Sequence, residues 1–200
     1  MIELVVATRN RHKTREIQDI LGPQFMVRDL ADSGVPEICE NGTSFEENAK
    51  LKALAASRHL PALVIADDSG LEVDALGGAP GIYSARYAGA SATAKDKIDK
   101  LLRELARVPA TDAGRRARFR CVVTLAREGN LLGVFEGTVE GRIADTPRGD
   151  SGFGYDPIFV ADGFEQTFGE LPKAVKNTIS HRAKAIRAVA DRLRRLDVGG

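Results

Sequence analysis

The sequence predicts an α/β fold built on a mixed β-sheet with flanking helices, and three observations carry that expectation. Ile2–Ala7 is a short apolar run rich in β-branched residues, and it breaks into a polar helical segment. Ile98, Leu101, Leu102, Leu105 and Val108 recur at i, i+3, i+4, i+7 and i+10, the spacing of an amphipathic helix. Ala117–Arg127 and Leu131–Glu140 are two long β-rich runs joined by Glu128-Gly129-Asn130, which reads as a hairpin and adds an antiparallel pair to the sheet.

Along the chain, the first strand ends at Thr8-Arg9-Asn10. A helix follows with Ile17, Ile20 and Leu21 on one face, stopped by Gly22-Pro23. Phe25–Leu30 reads as a second strand and Ala31–Thr43 as a polar loop. Ser44 and Glu47 have the S-x-x-E spacing of a capping box, so a helix starts there and runs to about Leu60, before Pro61. Leu63–Ala66 reads as a strand that ends in Asp67-Asp68-Ser69-Gly70. A short strand, Leu71–Val73, then leads into the glycine-rich loop Gly77-Gly78-Ala79-Pro80-Gly81. Asp145–Gly154, rich in Gly, Asp and Ser, reads as a functional loop. Ala183, Ile186, Val189, Ala190, Leu193 and Leu196 line one face of a last helix.

Composition narrows the class. At 200 residues the chain suits one sizeable domain, expected to span 1–200, without repeats or low-complexity segments. Its net charge of +1 argues against a surface that wraps nucleic acid, while leaving room for a local cationic pocket. Cys39 and Cys121 form no CxxC pair and no zinc spacing, and read as reduced thiols. No segment has the layout of a signal peptide, and no apolar run approaches the ~20 residues that span a bilayer. The expectation is a cytoplasmic protein with no membrane partner.

Three places put polar groups at strand ends or loop edges, where open α/β sheets build their sites. The first is Thr8-Arg9-Asn10-Arg11-His12-Lys13. A loop that opens a helix offers backbone N–H groups and the positive end of the helix dipole, which suits phosphates, although the G-x-x-x-x-G-K-[ST] loop is absent. A solvated helix start is the alternative. The second is Asp67-Asp68-Ser69-Gly70 with Glu40 upstream. Oxygen-only ligands of this kind favour a hard cation such as Mg2+, and an ordinary Asp-Ser-Gly turn is the alternative.

The third place is Gly152-Phe153-Gly154-Tyr155-Asp156-Pro157, followed by Lys173, Lys176 and Ser180-His181-Arg182. An aromatic between glycines can stack on a base, and Lys or Arg can read a purine carbonyl. Core packing for the aromatics and a solvated face for the cations compete with that. His12 taken alone is a solvated residue, and His59 at a helix end has no role. Gly149-Asp150-Ser151-Gly152 matches the nucleophile segment of chymotrypsin-like proteases, but a helix-rich chain with two cysteines and no export signal does not fit that class.

Six blocks taken together resemble the inosine triphosphate pyrophosphatase family, which acts on non-standard purine nucleotides. They are Thr8-x-Asn10-x-x-Lys13, Ser44-Phe45-Glu46-Glu47-Asn48-Ala49, Asp67-Asp68-Ser69-Gly70-Leu71, the run from Gly77 to Tyr87, Gly152–Pro157, and Ser180–Ala185, in the family's order. The resemblance implies an elongated fold with two lobes around a central cleft, a homodimer, and Mg2+-dependent hydrolysis of ITP, dITP, XTP or dXTP to the monophosphate and pyrophosphate. It implies Asp68 as the catalytic carboxylate, Asp68 and Glu40 as metal ligands, and Asp67 in support. The implied substrate contacts are Thr8, Arg9, Asn10, Arg11, His12, Lys13, Lys52 and Ser69, and Phe153, Gly154, Tyr155, Asp156, Lys176, His181 and Arg182. Arg9 departs from the glycine that many relatives carry, which puts the detailed geometry of that loop in question.

The implied reaction has a physical logic. A carboxylate beside a cation stays ionised, and can accept a proton from water or orient it. A donor aimed at the carbonyl on position 6 of hypoxanthine would reject adenine by ~10⁴, because a site built for one hydrogen bond penalises an analogue that lacks it. Three rivals stand beside it: a pyrophosphatase with another base preference, a nucleotide sensor without turnover, and a plain interaction protein, which leaves the acids and glycine loops unexplained.

Overall fold

The computed structural model describes residues 2–31, 33–108 and 112–197. In chain order the elements are β1 (Ile2–Val6), α1 (Arg11–Leu21), β2 (Phe25–Arg28), α2 (Phe45–Ser57), β3 (Leu63–Val73), α3 (Ala94–Leu105), β4 (Arg116–Arg127), β5 (Asn130–Ile143), β6 (Phe159–Ala161), α4 (Lys173–Ile179) and α5 (His181–Asp197). Six strands form one sheet in the order β2-β1-β3-β4-β5-β6. β1 runs parallel to β2, Leu4 opposite Val27, and parallel to β3, Val6 opposite Ile65. β5 and β6 are antiparallel. The expected mixed α/β sheet is therefore present. The expected hairpin is β4–β5, turned by Glu128 and Gly129 with φ of 53° and 77°, the paired positive values that match the twist of the flanking strands.

The residues group into two compact units. The first comprises the segments up to Asp68, Cys121–Gly137, and His181 onward. Neighbouring residues of its strands enter different cores. Leu4, Val6 and Ile65 pack with Ile17 and Leu21 of α1 and with Ile186, Val189 and Leu193 of α5. Val5, Ala7, Val64 and Ala66 pack with Ala53 and Ala56 of α2. Burial on both faces is why β1 and β3 read as continuous apolar runs. α5 approaches β5 closely, and a Cβ on Gly137 would collide with the carbonyl of His181. The side chain of Leu196, expected on the same apolar face, lies outside the described residues.

The second unit comprises Ser69–Arg120 and Thr138–Ser180. Here β4 alternates. Ala117 and Phe119 join a core with Leu71, Ile98, Leu101, Leu105, Phe159 and Phe168. Arg116, Arg118 and Arg120 face the other way, paired with Asp162 at 2.7 Å, Glu140 at 3.0 Å and Glu72 at 3.3 Å. One apolar and one charged face is the pattern of an antiparallel sheet covered on one side only.

Local expectations needed adjustment, with β2 ending at Arg28 rather than Leu30 and α2 at Ser57 rather than about Leu60. β3 is one strand of eleven residues through Asp67-Asp68-Ser69-Gly70, not two strands around a turn. α3 ends at Leu105, leaving Val108 beyond it, although Thr93 and Asp96 form a reciprocal capping box at its start. At α2, Ser44 accepts from the Glu47 amide at 3.1 Å, but Glu47 turns back to the Thr43 amide at 2.7 Å rather than to Ser44. No helix among the described residues is long and apolar enough to cross a membrane.

Candidate active site

The acids at the middle of β3 explain its continuity. A strand can carry two buried carboxylates only if each finds partners, since an unpaired buried charge costs several kcal/mol. Asp67, 2% exposed, receives Lys13 of α1 at 3.0 Å and Arg182 of α5 at 3.1 Å. Arg182, also 2% exposed, is held on its other side by Glu16 of α1 at 2.5 Å. Burial opposes ionisation of Asp67, but Lys13, Arg182 and Lys52 together outweigh it and hold its carboxyl well below the usual range. Burial likewise opposes the charge on Arg182, and Glu16 and Asp67 reverse the balance and raise its pKa.

Asp68 points to the other face of the strand and lives differently. Its Oδ2 accepts from Asn48 of α2 at 3.2 Å, and its Oδ1 lies 3.4 Å from Lys52 Nζ. That ammonium also donates to the Asp67 carbonyl at 2.8 Å and to Glu40 at 3.0 Å. Burial raises the Asp68 pKa, Lys52 and Lys13 pull it down, and the negative charge of Glu40 pushes it up, with a net rise. Burial lowers the Lys52 pKa, and Asp68, Asp67 and Glu40 more than restore it. Asn48 also accepts from the Gly42 amide at 2.9 Å, fixing the loop that carries Glu40.

These donors suit a hard divalent cation. Asp68 and Glu40 present carboxylate oxygens to one shared cationic position, now served by the Lys52 ammonium. Among the described residues, no group of three or more His, Cys, Asp or Glu could hold a metal ion by itself. Two carboxylates completed by water and phosphate oxygens is the usual protein contribution to a magnesium site.

The loop before α1 is shaped by its own side chains. The Asn10 amide donates to Thr8 Oγ1 at 3.1 Å, and Asn10 caps α1 by accepting from the His12 amide at 3.0 Å. Arg9 donates to the Val35 carbonyl at 2.7 Å, tying the loop to the Ala31–Thr43 segment. Arg11 and His12 are exposed on the first turn of α1, while Lys13 turns inward to Asp67.

In the second unit, Gly152 and Gly154 take φ of 78° and 65° on either side of Phe153. A side chain at 152 would collide with the Asp156 carboxylate. Asp156, buried, accepts from the Phe153 amide at 2.7 Å and from Lys176 of α4 at 2.7 Å. The Lys176 ammonium stands 5.1 Å from the centre of the half-buried Phe153 ring. Tyr155 is buried, with its hydroxyl on the Ser84 carbonyl at 3.1 Å. Ser69 is half-buried on β3. Ser151, in the protease-like segment, lies in an exposed loop with its amide bonded to Gly169.

The structure thus brings Lys13, Glu40, Lys52, Asp67, Asp68 and Arg182 into one charge network in the first unit, and Phe153, Asp156 and Lys176 into another cluster in the second. His181, buried at the start of α5, belongs to the first unit with Arg182. Sequence reasoning missed Glu16 and gave Asn48 no role. Glu16 carried a signal, because it lies beside Ile17 and one turn after Lys13 on the buried stripe of α1.

The profile of the Ham1 family matches residues 4–192. The chain is 49% identical over 192 residues to a protein of Shouchella clausii named dITP/XTP pyrophosphatase, covering 96% of each. It is 50% identical over 188 residues to one of the same name from Geobacillus kaustophilus, covering 93% of this chain and 91% of that one. Its fold matches the solved structure of a HAM1 protein from Coxiella burnetii with a TM-score of 0.87 at 40% identity, over 98% of this chain and 100% of that one. The family resemblance read from six sequence blocks is borne out along nearly the whole chain, and the protein belongs to the Ham1 family.

Proposed function

We propose that this protein hydrolyses non-standard purine nucleoside triphosphates, ITP, dITP, XTP and dXTP, to the monophosphate and pyrophosphate, and so keeps them out of DNA and RNA. The observation that carries this is the pair of adjacent carboxylates on β3. Asp67 is locked by Lys13 and Arg182, and Asp68 is left with a raised pKa beside Lys52 and Glu40. One acid supports the frame and the other is fit to take or orient a proton of water. The names of the relatives support the substrate class.

In this reading Asp68 and Glu40 hold Mg2+, which when bound neutralises charge on the triphosphate and the leaving pyrophosphate. Lys52 and Lys13 add positive charge at the phosphates, and Thr8, Asn10 and the α1 N-terminus shape the loop that receives them. Phe153 stacks on the base. The Lys176 ammonium, 5.1 Å from that ring, supplies the donor for a carbonyl on position 6. Ser69 and His181 complete the contacts, whereas Arg182, expected from the sequence to touch the nucleotide, is buried between Glu16 and Asp67 and acts through the frame. The enzyme acts as one domain, as a cytoplasmic homodimer; light scattering on the purified protein tests the dimer.

Pyrophosphate release from ITP, XTP, dITP, GTP and ATP, with Mg2+ and with EDTA, tests the reading. Fast Mg2+-dependent release from the first three is expected. Equal rates on all five would remove the base selectivity, and no release from any would leave a nucleotide sensor.

A further inference from the structure

We infer that Tyr155 is a positioning residue: its hydroxyl ties the Phe153 loop to the Gly81–Arg86 turn and holds the Phe153 ring in place, instead of touching the nucleotide. This rests on the proposed function, in which Phe153 stacks on the base. The Tyr155 ring lies in the apolar core with Leu71, Ile158 and Phe159, 4% exposed, and its hydroxyl donates inward to the Ser84 carbonyl at 3.1 Å.

The acceptor end is itself fixed. Ser84 Oγ accepts from the Leu71 amide of β3 at 2.9 Å and donates to the Gly81 carbonyl at 2.6 Å. From α3, Lys97 donates to the Ala85 carbonyl at 3.2 Å and Lys100 to the Tyr87 carbonyl at 2.7 Å, while the Tyr87 hydroxyl bonds Glu104. Three of the motif blocks therefore meet at Ser84: the β3 segment after the acids, the glycine-rich turn, and the Phe153 loop.

The loop end needs such an anchor. Gly152 and Gly154, both with positive φ, make the segment around Phe153 reverse sharply, and a backbone at glycine is the least constrained in the chain. The bond from the Phe153 amide to Asp156 closes the loop on itself, and Lys176 holds Asp156. The Tyr155 hydroxyl joins that closed loop to the Gly81–Arg86 turn.

The test is steady-state hydrolysis of ITP, dITP and XTP by wild type and Tyr155→Phe. Losing one buried hydrogen bond, with its acceptor left unpaired, corresponds to about five- to tenfold. The expected result is a KM raised by that factor equally for all three substrates, with kcat within about twofold, since positioning does not depend on the base. An unchanged KM overturns the inference. So do factors that differ markedly between ITP and XTP, which would mark a direct contact. Wild type that turns over none of the three overturns the proposed function, and this inference with it, and that outcome is read on the wild type alone. Thermal melting checks folding. If Tyr155→Phe does not fold, Ser84→Ala, which keeps the acceptor carbonyl but frees the turn from Leu71, carries the same expectation and the same refutation.

Discussion

The charge network on β3 and the Phe153 loop are built in opposite ways. The first gathers Lys13, Glu16, Glu40, Asn48, Lys52 and Arg182 from α1, α2, a loop and α5 around two neighbouring acids. Nothing local fixes it; the folded unit does. The second is local, a closed loop from Gly152 to Asp156, with Lys176 reaching in from α4. A site that must hold several buried charges has to recruit partners from many elements, whereas a stacking platform needs one ring and a stiff backbone. The first region should therefore respond to mutation in both stability and rate, and the second mainly in substrate affinity.

The largest effect is expected from Asp68→Asn. Turnover should fall by about 10³-fold or more, the range for a lost proton-transfer group, with the melting temperature little changed. Retained turnover in the pyrophosphate-release assay would remove Asp68 from the chemistry. Asp67→Asn should do the reverse. It leaves the buried Arg182 and the half-buried Lys13 without their shared anion, at a cost of about 3–5 kcal/mol in urea unfolding.

Asp67 also sets a pH dependence. Its folded pKa is depressed, so its contribution to stability is present above the unfolded value of about 4, and is lost as pH falls below that toward the folded value. Unfolding free energies at pH 7, 4 and 3 should show this loss in wild type and a shallower one in Asp67→Asn. Equal slopes would contradict the assignment.

Smaller effects sharpen the contrast. Phe153→Ala should raise KM for ITP about tenfold, as expected when a base loses an aromatic partner, and leave the melting temperature within a few degrees. An unchanged KM would leave the ring without a stacking role. Arg9→Ala removes a single bond to the Val35 carbonyl at the surface and should change KM by no more than about threefold. A larger change would make Arg9 a phosphate contact.

Legibility in the sequence followed the same division. Gly152-Phe153-Gly154 announced its loop, because glycines on either side of an aromatic act over a few residues. β1 and the β4–β5 hairpin were equally plain from their apolar runs and turn. The strand was expected to stop at Ala66 because Asp67-Asp68-Ser69-Gly70 has the composition of a turn, and the cations that let the strand continue lie 54 residues away at Lys13 and 115 away at Arg182. Glu16, which nothing in the sequence analysis singled out, is the other half of the Arg182 pairing. β6, with three residues, and α4, with seven, are too short to leave a periodic trace. Val108 kept the helical spacing past the point where α3 ends, since spacing alone does not mark a C-terminus.

Calorimetric titration of ITP, with Mg2+, into Asp68→Asn and into Asp68→Asn carrying Phe153→Ala tests most directly whether chemistry and base binding are separate. The single variant should bind ITP without cleaving it, and the second change should weaken binding about tenfold. An Asp68→Asn protein that folds but binds no ITP, or a Phe153→Ala change without effect on its affinity, would contradict that division.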